Sequence, residues 1–169
     1  MKHEAHKARR TKPRHGQESV WDYPRPPRVE PTRKRLRVEL GGALVAETSW
    51  GIRVLETSHP PVYFFPPEDV ATGVLRPAGG TSFCEWKGQA VYYDVVAGGK
   101  VAARSAWAYP APTPRALDLA DYVAFYAASM DRCTVDGEIV TPQPGRFYGG
   151  WITKDIVGPF KGSPGTEGW

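Results

Sequence analysis

The chain has little of what usually announces a metal, a cofactor or a membrane. Only two cysteines, Cys84 and Cys133, occur in 169 residues, and no Cys-x-x-Cys is among them. That set supports neither a disulfide framework nor a four-ligand zinc site, so two reduced, buried thiols are expected, with no metal and no cofactor. Three of the four histidines, His3, His6 and His15, crowd into the N-terminus, which leaves His59 alone in the body. No apolar run approaches the ~18 residues of a membrane span. No apolar segment follows the N-terminal charges as a secretory signal would. The expectation is a cytoplasmic protein without membrane contact.

Nor does the body carry net charge. The formal net charge is +4, but Lys2, Lys7, Arg9, Arg10, Lys12 and Arg14 face only Glu4 and Glu18 within residues 1–18. The other 151 residues hold 16 basic and 16 acidic side chains. A basic segment without large apolar residues cannot offset its ordering entropy, so residues 1–18 are expected to be a disordered tail. Its first-order role is solubility, with no more than weak nucleic-acid contact through phosphates.

What is present points to β-structure. Residues 19–33, SVWDYPRPPRVEPTR, carry four prolines, which break helices and favour an extended arm pinned by Trp21 and Tyr23. From Arg35, charged and apolar residues alternate as far as Gly41-Gly42, and ALVAETS returns, which is a hairpin pattern. A third strand, IRVLETS, sets Ile52, Val54 and Glu56 on one face and Arg53 and Leu55 on the other. Val62–Phe65 reads as a short buried strand. Pro66-Pro67-Glu68-Asp69 reads as a helix start, closed by Arg76-Pro77. Gly79-Gly80 then leads into a polar, aromatic loop, TSFCEWKG, ahead of the strand AVYYDVVA.

A two-residue turn at Gly98-Gly99 would place Ala97 opposite Lys100, Tyr92 opposite Ser105 and Ala90 opposite Trp107. Tyr92 and Trp107 would share one face, and Tyr93 and Arg104 the other. A helical turn is expected over 115–120, a strand at YVAFYA, and a tight hairpin at RCTVDGEIV. Residues 34–141 thus form a mainly antiparallel β domain with few short helices. Residues 142–169, with seven glycines, four prolines and five large aromatic side chains, read as a wrapping arm. Packing of either arm on a neighbouring subunit would make a homodimer.

Several spaced blocks are together specific. Arg53-x-Leu55-Glu56, Pro61-x-Tyr63-Phe64-x-Pro66, Cys84-x-x-Lys87-Gly88-x-Ala90-x-Tyr92-Tyr93, Ala106-Trp107-x-Tyr109-x-x-Pro112 and Phe125-Tyr126 resemble the domain-of-unknown-function 427 family. The resemblance implies a single β-tent domain of two antiparallel sheets meeting at an angle, and it brings a nucleotidyltransferase label. Related shapes elsewhere hold a structural zinc, for which this chain lacks paired cysteines.

Nucleotidyl transfer needs paired metal-binding carboxylates and a phosphate cradle. The sequence has no Gly-Ser followed by Asp-x-Asp and no glycine-rich loop ending in Lys-Ser or Lys-Thr, and Glu68-Asp69, Asp118 and Asp121 read as helix-end and surface acids. A ligand pocket is the stronger expectation, for an unidentified small molecule or modified residue, built from Arg53, Glu56, Tyr63, Cys84, Lys87, Tyr92, Trp107 and Tyr109. Against it stands the plainer account that these rings fill a core and that Glu56 and Lys87 form a structural ion pair. Were the pocket catalytic, Glu56, His59, Cys84 and Lys87 would be the candidates: His59 as general base, and Cys84 as a nucleophile favoured by Lys87. A dimeric assembly module remains a further alternative.

Overall fold

The computed structural model of the protein describes residues 10–169. Residues 1–9 of the expected tail lie outside the described residues. The strands, in order, are β1 (Glu18–Ser19), β2 (Arg28–Thr32), β3 (Leu36–Leu40), β4 (Ala43–Thr48), β5 (Gly51–Leu55) and β6 (Val62–Phe64). Next come β7 (Leu75–Cys84), β8 (Gly88–Ala97), β9 (Lys100–Ala108) and β10 (Val123–Phe125). The chain closes with β11 (Arg132–Val135), β12 (Glu138–Ile139), β13 (Thr141–Pro142), β14 (Trp151–Ile152) and β15 (Ile156–Val157). The protein is mainly β, and its helical content is short 3-10 turns. Among the described residues no helix is long and apolar enough to cross a membrane.

One four-stranded sheet has the order β12-β11-β3-β4, a second β10-β9-β8-β7, and a three-stranded sheet β2-β5-β6. The last two are joined edge to edge: Phe65 and Val123 exchange backbone hydrogen bonds of 2.8 and 2.9 Å. Period-two alternation across this joined layer explains where everything else sits. Tyr63, Phe65, Ala106 and Phe125 turn toward the β3–β4–β11 sheet and meet Leu36, Val38, Val45 and Val135 in the main core. Their neighbours Phe64, Trp107 and Ala124 turn the opposite way, with Ile52, Val54 and Tyr109, into a second apolar cluster.

The hairpins form where local turn chemistry demands them. Leu40 pairs with Ala43 across Gly41-Gly42, and Ala97 pairs with Lys100 across Gly98-Gly99. Val135 pairs with Glu138, and the intervening Asp136 and Gly137 have φ of 48° and 82°. Both central residues are left-handed, as the favoured two-residue hairpin turn requires.

The helix expected from Pro66 does not form. Pro67–Asp69 makes one 3-10 turn, and Val70 already bridges to Ala46. A single turn gains too few hydrogen bonds to propagate against that pairing. Arg76-Pro77 lies inside β7, where Pro77 opposes Tyr93. β7 is an edge strand, so the missing amide hydrogen costs no ladder bond. The expected loop at Thr81 is correspondingly short: Thr81–Cys84 completes β7, and only Glu85, Trp86 and Lys87 make the turn into β8.

Both arms fold onto the body. In the stretch read as a tail, the amide of Thr11 donates to Gly158 at 3.0 Å and Glu18 pairs with Ile156 as parallel strand. β2 pairs with β5, so the proline-rich arm supplies a sheet strand. Trp151 is 1% exposed in the main core, and its Nε1 donates to the Phe125 carbonyl at 3.0 Å. Trp21 donates from Nε1 to the Pro159 carbonyl at 3.0 Å.

Candidate functional site

A cleft of about 310 Å3 opens on the Trp107 face of the joined layer. Glu56, His59, Cys84, Lys87, Tyr92, Trp107 and Tyr109 all line it. The registry that assembles these residues differs from the one expected. Val95 opposes Ala102, but Tyr93 opposes Ala106 and Tyr92 opposes Trp107, a shift of two residues on β9. Arg104 marks the irregularity: its φ is 48°, and its amide donates to Asp94 Oδ1 at 2.8 Å. An even shift preserves which face each side chain takes. Tyr92 and Trp107 therefore still share a face, and they now stand directly opposite. Arg104 does not join Tyr93. The bulge turns its guanidinium to 4.3 Å from the Tyr92 ring centre.

Trp107 and Tyr109 are only 7% and 4% exposed. They form the cleft's floor over Phe64, whose ring lies 6.3 Å from Trp107 and 6.2 Å from Tyr109. The walls are half-buried rings: Tyr92, Trp86, Tyr126 and Tyr148. Tyr92 shares a 2.7 Å hydrogen bond with Ser82 Oγ, and the Tyr126 hydroxyl donates to the Phe147 carbonyl at 2.9 Å. The arm crosses Trp107 at Gly149, where a Cβ would lie 2.2 Å from the indole. Glycine is required there by close approach.

Arg53 and Tyr63 are not in the cleft. Strand alternation puts each on the face opposite its cleft-lining neighbours, Val54 and Val62. Tyr63 packs 5.5 Å from Trp151 in the main core, and burial pushes its phenol up to about 12. Arg53 makes two hydrogen bonds to Glu18, at 2.7 and 2.8 Å, and a third to Glu30 at 2.7 Å. The Arg53 hydrogen bond, and next its charge, hold the Glu18 carboxyl below its ordinary range against the opposing effect of partial burial. Replacing Arg53 with Met should cost about 1–3 kcal/mol, since it removes three charge-assisted hydrogen bonds, while the partly solvated Glu18 keeps the Tyr23 hydroxyl and Glu30 keeps Arg28. Chemical denaturation reads this directly, and an unchanged midpoint would show the network to be energetically idle.

The anticipated Glu56–Lys87 ion pair is also absent among the described residues. Glu56 Oε2 instead lies 3.6 Å from Arg25 Nε and 3.4 Å from His59 Nε2. Lys87 holds its ammonium 5.6 Å from the Tyr109 ring centre. Cys84 is a free, half-buried thiol at the end of β7.

His59 is held by a residue that sequence reasoning missed. Gln143 Oε1 accepts from the Gly150 amide at 3.0 Å, which orients the side-chain amide. Its Nε2 then donates to the Lys161 carbonyl at 2.9 Å and faces His59 Nδ1 at 3.0 Å. Nδ1 must therefore accept, and the ring proton resides on Nε2, toward Glu56. Burial, and next Lys161, Arg25 and Lys87, push the imidazole down to about 3. His59 is neutral at pH 7 and neither nitrogen offers a free lone pair, so the expected general base has no acceptor to use. The arm also brings Tyr148, whose ring centre is 4.8 Å from that of His59, and Lys161. The only sequence signal for these was the aromatic richness of the arm.

Among the described residues no group of three or more His, Cys, Asp or Glu could hold a metal ion. Comparison with curated proteins returns no match. Residues 28–136 match the profile of the family described as Domain of unknown function (DUF427), and the chain belongs to that family.

Proposed function

We propose that this protein binds a small organic molecule in the cleft floored by Trp107 and Tyr109. The observation that carries the reading is the combination of half-buried aromatic walls with an ammonium, that of Lys87, which no carboxylate neutralises among the described residues. Concave, mostly apolar sites with a few directed polar groups are the usual form of a ligand pocket. Structural burial alone does not account for a charged group left unpaired among rings. Nucleotidyl transfer, the activity in the family's label, finds less support. The cleft's two carboxylates are Glu56, already engaged by Arg25 and His59, and Glu85 on the β7–β8 turn.

A screen of small metabolites by thermal shift tests the proposal. A genuine ligand at a hundredfold excess over its Kd should raise the melting temperature by about 5–10 °C. Trp86→Ala and Tyr148→Ala should each abolish most of that shift while leaving the unliganded melting temperature nearly unchanged. Hits that stabilise both variants as well as the wild type would place binding elsewhere and defeat the reading.

A further inference from the structure

The electrostatics of the cleft narrow what it binds. Two ammonium groups enter it, Lys87 from the β7–β8 turn and Lys161 from the C-terminal arm. Lys161 Nζ donates to the Trp169 carbonyl at 3.2 Å and stands 5.5 Å from the Tyr148 ring centre. Among the described residues neither lysine pairs with a side-chain carboxylate. The inner carboxylate, Glu56, is answered by Arg25 and by the His59 N–H. Gln143 keeps His59 uncharged, so it adds a donor without adding a proton's charge. Of the cleft's two carboxylates, Glu56 is thus engaged and Glu85 stands exposed on the β7–β8 turn, while Lys161 spends one donor on a main-chain oxygen and Lys87 holds its charge over the Tyr109 ring.

The same polarity continues next door. A second compartment of about 530 Å3 shares Tyr92, Tyr126, Gln143 and Tyr148 with the first, and it is bordered by Arg104 and Arg146. Arg104 is held there by the bulge, its guanidinium lying against Tyr92. Among the described residues no acidic side chain lines this compartment. Cations held beside half-buried rings without a side-chain carboxylate partner among the described residues select a ligand that is flat and negatively charged, because stacking and charge pairing are then made together.

We propose, building on the small-molecule reading above, that the ligand is a planar aromatic ring bearing an anionic group, with the ring against Tyr92 and Tyr126 and the anion between Lys87 and Lys161. Carboxylate and phosphate share this chemistry, and matched probes separate them.

The experiment uses the full chain and isothermal titration with indole-3-carboxylate, its neutral carboxamide, adenosine monophosphate and citrate. The aromatic acid should bind about tenfold or more tightly than its amide, and its affinity should fall as salt rises. Lys87→Gln and Lys161→Gln should each weaken the acid about fivefold or more and leave the amide unaffected, with Lys87→Arg restoring binding. The amide and the circular dichroism spectrum report whether each variant is folded. Adenosine monophosphate binding tighter than indole-3-carboxylate, with the same lysine dependence, supports the proposal with phosphate as the anion. Amide and acid binding equally would overturn the charge assignment and leave the cleft reading standing. Citrate binding as well as the aromatic acid would overturn the requirement for a ring. If none of the four binds, the proposed class fails. The metabolite screen then decides separately whether the cleft binds anything else.

Discussion

Replacing Trp151 with alanine is expected to destabilise the protein by about 4 kcal/mol or more. The indole is 1% exposed and sits 5.5 Å from the Tyr63 ring and 6.1 Å from the Phe65 ring. Its removal leaves a cavity in the main core, and truncations of this kind cost ~3–5 kcal/mol. The Phe125 carbonyl also loses the indole N–H it accepts at 3.0 Å, a buried group left unsatisfied at a further ~1 kcal/mol. Trp151→Phe keeps most of the volume and should lose only ~1–2 kcal/mol. Because small proteins hold only ~5–15 kcal/mol in all, the alanine variant should be close to unfolding at 37 °C. Equilibrium denaturation in urea measures both. A loss below ~1 kcal/mol for the alanine variant would mean that the arm is peripheral to the core. Trp151 lies beyond the family match at 28–136, so the result tests whether this chain's C-terminal arm completes the domain.

Acidification should cost about 2.5 kcal/mol between pH 7 and 4.5 through His59 alone. The folded imidazole is pushed down to about 3 from an ordinary value of 6.5. Below pH 6.5 the unfolded chain takes up a proton that the folded chain refuses, so stability falls with pH. The slope approaches ~1.4 kcal/mol per pH unit until the folded value is reached. The His59 side chain is 9% exposed, so solvent screening subtracts little. Glu18 and Asp155 are also held below their ordinary values. A lowered carboxylate loses its contribution only as pH falls through the carboxylate range, so their losses begin near pH 4.5 and leave the window above it to His59. Stability measured at pH 7, 5.5 and 4.5 should therefore slope steeply for the wild type and be nearly flat for His59→Gln. Parallel profiles would refute the assignment. In 15N-resolved spectra the ring should remain the Nε2–H form throughout that range.

Some of the site is legible in the sequence because it follows from the two-residue period of a strand. Alternation through IRVLETS sets Val54 and Glu56 on one face and Arg53 on the other, and the cleft takes the first pair. The same parity separates Arg53 from Glu56, so the two cannot both point into one cleft from a regular strand. Tyr92 and Trp107 keep their common face although the register is not that of a regular hairpin, because the bulge shifts by two. A shift of one would have sent one ring to the opposite face.

What the sequence determined by itself was local: the Gly-Gly and Asp-Gly hairpins, the β class, the neutral body and the aromatic arm each follow from residues a few positions apart. What only the tertiary structure decided was which distant groups meet. Gln143 reaches back 84 residues to His59, and Trp151 fills the space over Phe125. Lys161 joins Lys87 at the same cleft. Turn and strand preferences act through covalent neighbours and leave a periodic trace in the chain. A contact made by burying one segment against another depends on the space that the rest of the fold leaves open, and no periodicity records it.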